Sequence, residues 1–385
     1  MNVTRSLALE NISRSIFLFG PRQTGKTTLL RTQFPQARWY DLLESDTFFR
    51  LSAKPRILRD ELLAAGAETS DQTVVIDEIQ KLPVLLDEVQ LLIDRYGIRF
   101  VLTGSSARKL TRVGTNLLGG RARVRHLFPL TSRELGAVEL LRILRFGTLP
   151  GMYFSDDPAD DLSAYCGTYL QQEIQQEGIV RRIDAFARFL RTAASMNAEL
   201  LNFEAVASDA AVPARTVREY FGVLSDTLIA EVLEPYRRGT KRKAISTGKL
   251  YFFDAGVANA LRGSHAIEPG TESWGKALEH FVYTELRAWL SYTRDTRPLS
   301  FWRTRYGTEV DFVIGDDVAI EVKATSNPAD RHLSGLRAIA DEGTFSHRIL
   351  VFDGSTDAAP RVVDDIDVLP VGVFLQRLWD NAYIA

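Results

Sequence analysis

The chain has 385 residues, of which 45% are apolar, and a formal net charge of −2. This length predicts two or three domains of about 100–200 residues each, and the charge excludes a general attraction to nucleic acid, so DNA binding would need a local basic patch. A single cysteine, Cys166, excludes an internal disulfide and indicates the cytoplasm, and no stretch reaches the roughly 20 apolar residues that a membrane span requires.

Short apolar runs alternate with helical stretches through the first 130 residues, which is typical of a parallel sheet flanked by helices. The predicted strands are Ser15–Phe19, Arg38–Asp41, Thr73–Asp77 and Ile98–Thr103. Apolar residues then recur at helical spacing over 130–200, which predicts a helical lid.

A phosphate-binding loop is predicted between the first strand and a helix that begins near Lys26. The run from Gly20 to Thr27 satisfies the P-loop pattern. Its N–H groups and the helix N-terminus would form an anion cradle, in which Lys26 reaches the β- and γ-phosphates of ATP and Thr27 binds Mg²⁺. The predicted nucleotide-binding residues of this loop are Gly20, Arg22, Gln23, Thr24, Gly25, Lys26, Thr27 and Thr28.

The strand Thr73–Asp77 is apolar and ends in two acids, as a Walker B motif does. Asp77 would hold the magnesium shell, and Glu78 would orient the attacking water. We expect this strand beside the P-loop strand. The alternative, a glycine-rich turn and an unrelated exposed acidic strand end, does not explain why both motifs occur in register.

A further strand ends in small hydroxyl residues, and of these Thr103 and Ser105 are predicted beside the γ-phosphate. Arg121, after two glycines, is the preferred arginine finger, which would reach the ATP of a neighbouring subunit. That role predicts a homo-oligomer that forms a ring, and a hexamer is one option for the ring. A solvated basic loop explains the same arginines equally well; the other finger candidates are Arg112, Arg123 and Arg125.

Residues 202–253 are predicted to form a helix, a turn, a helix, a strand, a basic loop and a strand. Asn202 is the predicted N-cap of the first helix. This order resembles a winged helix, whose second helix can enter a major groove while the wing touches phosphate. A winged helix that packs against protein is the alternative. The predicted DNA contacts are Arg215, Arg218, Arg237, Arg238, Lys241, Arg242 and Lys243.

Acidic residues alternate with apolar ones in the predicted strand from Glu309 to Ile314, and a second strand ends in Glu321-Val322-Lys323. Pairing of the strands would gather Asp311, Glu321 and Lys323, where the acids hold Mg²⁺ or Mn²⁺ and the lysine acts catalytically. This resembles the PD-(D/E)XK nuclease core, with Glu279 of the preceding helix as an extra metal ligand. An exposed salt-bridge ladder is the alternative.

Together these motifs resemble one family over nearly the whole chain, the prokaryotic AAA+ ATP-binding proteins with a C-terminal domain of unknown function. The resemblance implies an α/β fold. The domains are predicted as a P-loop AAA+ core at 1–135, a helical lid at 136–200, a winged helix at 201–253 and a restriction-endonuclease-like α/β domain at 254–385.

Three functions follow as hypotheses, of which one is a purely DNA-binding module with an inactive nuclease fold; the other two use ATP. The first is an ATPase that engages duplex or branched DNA and cuts it with a metal-dependent nuclease domain. The second is an ATP-dependent switch whose C-terminal half binds a protein partner and whose nuclease fold is inactive.

Overall fold

The computed structural model describes residues 3–9, 13–66, 72–105, 117–169, 182–237, 247–264, 266–354 and 358–384. The chain forms two compact units. The N-terminal unit comprises residues 5–128 with 226–228, and the C-terminal unit comprises 129–225 and 229–385 with the first four residues.

The N-terminal unit is a parallel sheet with helices between its strands, as predicted. Its elements are β1 (Ser15–Phe19), α1 (Lys26–Gln33), β2 (Arg38–Asp41), α2 (Ser45–Ala53), α3 (Ile57–Ala64), β3 (Val74–Asp77), α4 (Leu85–Tyr96), β4 (Phe100–Gly104) and β5 (Ala122–His126). The strands β1, β3 and β4 are buried along their whole length. This explains their uninterrupted apolar runs, since a parallel sheet is covered on both faces.

The strand order is β2-β3-β4-β1-β5. The expectation that the acid-bearing strand lies beside the P-loop strand is therefore wrong, because β4 pairs in parallel with both and separates them. Phe19 is aligned with Gly104, and Ile76 with Leu102. The carboxyl ends of β1, β3 and β4 thus meet at one edge of the sheet.

The C-terminal unit begins with helices over the region where helical spacing was predicted. These are α5 (Ser132–Leu135), α6 (Leu140–Phe146), α7 (Pro150–Tyr153), α8 (Pro158–Ala164), a π-helical turn (Tyr165–Tyr169) and α9 (Ile183–Ser195).

Two further helices and a small antiparallel sheet follow. They are β6 (Glu199–Leu200), α10 (Phe203–Ala210), α11 (Ala214–Asp226), β7 (Ala230–Leu233) and β8 (Lys249–Phe252), with sheet order β6-β8-β7. The Asn202 side chain accepts a hydrogen bond of 3.0 Å from Ala205 N, so the predicted cap is confirmed. Phe189 of α9 packs 5.2 Å from the Tyr220 ring and 4.9 Å from the Phe221 ring of α11, which joins the helices.

The last part of the chain is a mixed sheet with helices. Its elements are α12 (Ala255–Arg262), α13 (Glu272–Thr293), β9 (Leu299–Arg303), β10 (Glu309–Ile314), β11 (Val318–Lys323), α14 (Ser334–Ala338), β12 (His347–Phe352), β13 (Arg361–Val363), β14 (Ile366–Pro370) and α15 (Val371–Trp379). The sheet order is β13-β14-β12-β11-β10-β9. The hairpin β10–β11 pairs Phe312 with Ile320, which sets Asp311 close to the end of β11. Among the described residues, no helix is long and apolar enough to cross a bilayer.

A buried carboxylate, that of Glu285 in α13, holds three elements of the C-terminal unit together. Its Oε1 accepts a hydrogen bond of 2.7 Å from Ser132 N, and its Oε2 accepts bonds of 2.8 Å from Ser132 Oγ and 2.6 Å from Trp379 Nε1. Removing the carboxylate would leave these buried donors unpaired, which costs more than the net worth of each bond.

We therefore predict that Glu285→Ala lowers the free energy of unfolding of the C-terminal unit by about 2–4 kcal/mol. Urea unfolding followed by tryptophan fluorescence measures this, because Trp274, Trp289, Trp302 and Trp379 all belong to that unit. Glu272→Ala is the matched control, since the Glu272 side chain is 83% exposed. Equal midpoints for the two variants would contradict the assignment.

Candidate functional site

The loop between β1 and α1 has the backbone of an anion cradle. Gln23 and Gly25 adopt left-handed conformations with φ of 63° and 91°, and Thr24 Oγ1 donates a 2.9 Å hydrogen bond to Pro21 O. A Cβ on Gly20 would lie 2.4 Å from Leu127 O, so only glycine fits there. Gln23 and Thr28 are exposed, whereas Thr24 is buried. Left-handed residues in a turn are typical of the backbone concavities that bind anions.

Lys26 lies in the first turn of α1 with only 5% of its surface exposed. Its ammonium donates hydrogen bonds of 2.8 Å to Gly20 O and 3.1 Å to Pro21 O. The charge is therefore held at the loop by neutral carbonyls. A phosphate group entering the loop would offer a stronger, ionised acceptor for the same ammonium.

Asp77, at the end of β3, connects the loop to the sheet. Its Oδ2 accepts a 2.8 Å hydrogen bond from Thr27 Oγ1, and its Oδ1 accepts one from Thr103 Oγ1 of β4. The predicted magnesium pair, Thr27 and Asp77, is thus in direct contact. A hydroxyl and a carboxylate are hard oxygen donors of the kind that Mg²⁺ prefers, so these residues fit the ion.

Glu78 follows Asp77 in a left-handed conformation, with φ of 60°. Its backbone N donates a 3.0 Å hydrogen bond to Thr103 Oγ1, and its carboxylate accepts a hydrogen bond from Gln80 Nε2. Gln80 Nε2 also lies 3.2 Å from Ser105 Oγ. The two predicted sensor residues are therefore both joined to the Walker B acids, Thr103 directly and Ser105 through Gln80.

Gln80 was missed in the sequence reasoning. It sits in a short 3₁₀ turn, Ile79–Lys81, and is buried. The available signal was a polar residue two positions after Glu78, where the chain must bend at the sheet edge.

The arginines after β4 are only partly described. Arg121 Nε lies 2.5 Å from Asp94 Oδ1 of α4, so it is paired within its own chain. Arg112 and Ser106 lie outside the described residues. The choice between an arginine finger and a solvated basic loop therefore stays a prediction.

The C-terminal acids gather as expected, but they are buried rather than exposed. Asp311 and Glu321 expose only 2% and 4% of their surface, so the exposed salt-bridge ladder is wrong. Asp311 Oδ2 accepts a 2.9 Å hydrogen bond from Val322 N, and Lys323 pairs with Glu321. Burial, followed by repulsion from Asp311, raises the pKa of Glu321 well above its usual range.

Two residues that sequence reasoning missed, Lys249 and Tyr251 of β8, complete this acidic cluster. Lys249 Nζ lies 3.0 Å from Glu279 Oε1 and 3.4 Å from Asp311 Oδ1, and Tyr251 OH donates a 2.5 Å hydrogen bond to Glu279 Oε1. Burial raises the pKa of Glu279 to about 7. Burial lowers the pKa of Lys249, but attraction to Glu279 and Asp311 outweighs it and raises the pKa overall.

These contacts bear on the expected metal site. In the parts of the chain that the structure describes, no group of three or more His, Cys, Asp or Glu side chains is arranged to hold a metal ion. The carboxylates of Glu279, Asp311 and Glu321 face ammonium groups instead. This arrangement does not fit Mg²⁺ or Mn²⁺.

The predicted DNA contacts are described in part. Arg215 of α11 is 91% exposed and lies 3.4 Å from Glu219, and Arg218 lies 3.7 Å from Glu204 and stacks on Phe203. Arg237 is exposed. The others, Arg238, Lys241, Arg242 and Lys243, lie outside the described residues.

Comparison with known protein families divides the chain into three segments. Residues 13–136 match an AAA domain, residues 138–268 match a domain of unknown function (DUF8612), and residues 274–374 match a second one (DUF4143). The matches support an AAA-type ATPase with a C-terminal domain of unknown function. The AAA match implies binding of ATP, typically with Mg²⁺.

The chain is also similar to relatives and solved structures. It is 28% identical over 327 residues to the protein Rv2008c of Mycobacterium tuberculosis, covering 82% of this chain and 71% of the relative, and equally to Mb2031c of Mycobacterium bovis. A STAND protein with a tetratricopeptide repeat sensor from Pyrococcus horikoshii is 16% identical with a TM-score of 0.23, and 72% of this chain matches 45% of that one. A replication initiator DnaA bound to AMPPCP and single-stranded DNA is 13% identical with a TM-score of 0.26, covering 56% of this chain and 83% of DnaA. At these TM-scores neither structure supports an inference.

We predict that Gln80→Ala lowers kcat for ATP hydrolysis about 10-fold or more while leaving the KM for ATP nearly unchanged, because Gln80 holds Glu78 rather than the nucleotide. Steady-state phosphate release measures both constants. Gln90→Ala, at an exposed glutamine of α4, is the control. A rise in KM with unchanged kcat would show that Gln80 does not position Glu78.

Proposed function

We propose that this protein is an ATPase of the AAA+ type that hydrolyses Mg-ATP at the P-loop and engages DNA through its C-terminal unit. The observation that carries the ATPase part is the 2.8 Å contact between Thr27 Oγ1 and Asp77 Oδ2. It joins the two halves of the nucleotide site, which lie 50 residues apart in the chain.

Each residue of the nucleotide site has a distinct task. The loop amides bind the phosphates, and Lys26 transfers its hydrogen bonds from the loop carbonyls to the β- and γ-phosphates. Thr27 and Asp77 would hold Mg²⁺, which supplies neutralisation of the phosphate charge. Glu78, fixed by Gln80, orients the attacking water and accepts its proton.

The DNA part rests on the arrangement of residues 199–252. The strand β6 precedes the helices α10 and α11, which are joined by a tight turn at residues 211–213 and followed by β7 and β8. The three strands form the sheet β6-β8-β7. This helix, turn, helix and sheet order is that of a winged helix, in which α11 would be the recognition helix. The segment from Arg237 to Lys243, rich in Lys and Arg, is attached to β7 and would serve as the wing.

The charge distribution gives the helices α10 and α11 a different role from that of the wing. The helices α10 and α11 carry Arg215 and Arg218 but also four acids, Glu204, Asp209, Glu219 and Asp226. They offer no net attraction to phosphate. The attraction would therefore come from the wing, and Arg215 would contribute contacts in the groove after its weak, exposed pair with Glu219 opens.

We further propose that ATP hydrolysis takes place in a homo-oligomeric ring, with a hexamer as one option, and that Arg121 acts as the finger. This requires Arg121 to leave Asp94 for the phosphate of a neighbouring subunit. The pair is partly exposed, so solvent weakens it and the exchange costs little.

A second function is favoured by the contacts of Lys249. If the acidic cluster holds ammonium groups instead of a metal, the C-terminal unit has a nuclease-like fold without cleavage, and the protein acts as a nucleotide-dependent switch for a protein partner. Under this alternative DNA leaves the ATPase rate unchanged. Metal-dependent cleavage with Asp311, Glu321, Glu279 and Lys323 would need a different arrangement of these side chains.

The deciding experiment is an ATPase assay with Mg²⁺ or Mn²⁺ across single-stranded, duplex and branched DNA, with cleavage scored in parallel. We expect DNA to raise the ATPase rate. Glu78→Gln should lower kcat about 100-fold or more and retain ATP binding, since it removes the general base alone. Lys323→Ala should leave hydrolysis unchanged, because Lys323 belongs to the C-terminal unit. DNA engagement would be refuted if none of these DNAs changed the ATPase rate and none bound to the protein at low salt.

Neutralising the wing tests where DNA binds. The triple variant Lys241→Ala, Arg242→Ala and Lys243→Ala should weaken duplex binding about 10-fold or more at 50–100 mM salt and lower the slope of log K against log salt by about 2–3. Fluorescence anisotropy of labelled duplex measures both. Arg56→Ala, at an exposed arginine of the N-terminal unit, is the control. An unchanged salt slope would remove the wing from the interface.

A further inference from the structure

The position of Lys249 is fixed more firmly than that of an ordinary surface lysine. It opens the central strand of its sheet, where it is paired with Leu233 of β7 and Leu200 of β6. Its side chain is 4% exposed, and its ammonium lies 5.7 Å from the Phe301 ring centre. A lysine side chain is rarely buried to this degree unless it is paired.

The buried cluster pairs each acid with a cation. Glu279 and Asp311 share Lys249, and Glu321 pairs with Lys323. Three carboxylates therefore face two ammonium groups. Removal of either ammonium would leave buried carboxylates without a counter-charge, which is far more costly than losing an exposed pair.

A divalent metal would need the same carboxylate oxygens that Lys249 contacts. Mg²⁺ and Mn²⁺ require carboxylate oxygens at close to 2 Å in a near-octahedral arrangement. Glu279 Oε1 is engaged by Lys249 and Tyr251, and the two oxygens of Asp311 are engaged by Lys249 and Val322 N. An ammonium and a divalent ion this close would also repel one another.

One atom of the cluster lacks a partner. Glu321 Oε2 is buried and accepts no hydrogen bond from the described residues. With one acid in excess and one free oxygen, the cluster could still accept a cation if Lys249 left. The metal-binding chemistry is thus present but blocked.

We propose that Lys249 is the resident cation of this cluster and excludes a divalent metal from Glu279, Asp311 and Glu321. The inference deepens the nuclease-like interpretation proposed above and needs neither DNA nor ATP. The cluster draws on two matched segments, since Lys249 lies in residues 138–268 and the acids lie in residues 274–374. Metal binding, and any cleavage that depends on it, then requires β8 to withdraw Lys249.

The test measures Mn²⁺ binding to the full-length, nucleotide-free protein by electron paramagnetic resonance. All variants carry Asp77→Asn so that the nucleotide site does not contribute. We expect Lys249→Met to bind Mn²⁺ at least about tenfold more tightly than the parent, and Asp311→Asn to abolish this gain. Lys249→Arg, which keeps the charge, should resemble the parent, and so should Lys276→Met, at a paired lysine of α13.

The proposal is overturned if the parent binds Mn²⁺ as tightly as Lys249→Met, or if the gain persists with Asp311→Asn. If Lys249→Met does not fold, Mn²⁺ binding by the parent protein alone tests the proposal. Saturable Mn²⁺ binding by the parent that Asp311→Asn removes would refute a resident lysine, and no such binding would support it. Because these readings use no DNA, their failure is distinct from a failure of DNA-stimulated hydrolysis.

Discussion

The nucleotide site depends on the Asp77 carboxylate, which holds two hydroxyls at the carboxyl edge of a parallel sheet. One hydroxyl, of Thr27, belongs to the helix after the P-loop, and the other, of Thr103, belongs to β4. Thr103 Oγ1 also accepts a hydrogen bond from the backbone N–H of Glu78. The residues predicted to bind magnesium, to orient the water and to sense the γ-phosphate therefore form one connected network, and a shift of any strand would misplace all of them.

The sequence predicts local structure in this unit well, because its signals are local. The bounds of β1 and β2 agree with the prediction, and α1 begins at Lys26 as expected. The order of the strands could not be predicted, since it depends on which long crossover passes over which neighbour. The insertion of β4 between β1 and β3 brings Thr103 to Asp77. The contact of Thr103 with Asp77 therefore could not be derived from the motif, and the role of Thr103 beside the γ-phosphate stays a prediction.

The acidic cluster shows a second limit of prediction from the sequence. Alternation along β10 and β11 correctly predicts that Asp311, Glu321 and Lys323 come together, because a hairpin is short-range. Alternation cannot show what covers that face. The cover is β8, whose Lys249 and Tyr251 lie about 60 residues before Asp311 in the chain. Burial of the acids and their counter-ion was therefore invisible in the sequence.

Two buried lysines distinguish the two sites of this protein. Lys26 donates to neutral carbonyls of its own loop, so a triphosphate offers it stronger acceptors and the site is ready for its ligand. Lys249 is held by the buried carboxylate of Asp311 and the partly buried carboxylate of Glu279. A metal could replace Lys249 only if the displaced ammonium found another place. The same residue type therefore makes one site open to its ligand and the other closed. Triphosphate binding needs Lys26 to exchange its hydrogen-bond acceptors, whereas metal binding by the acidic cluster needs Lys249 to leave it.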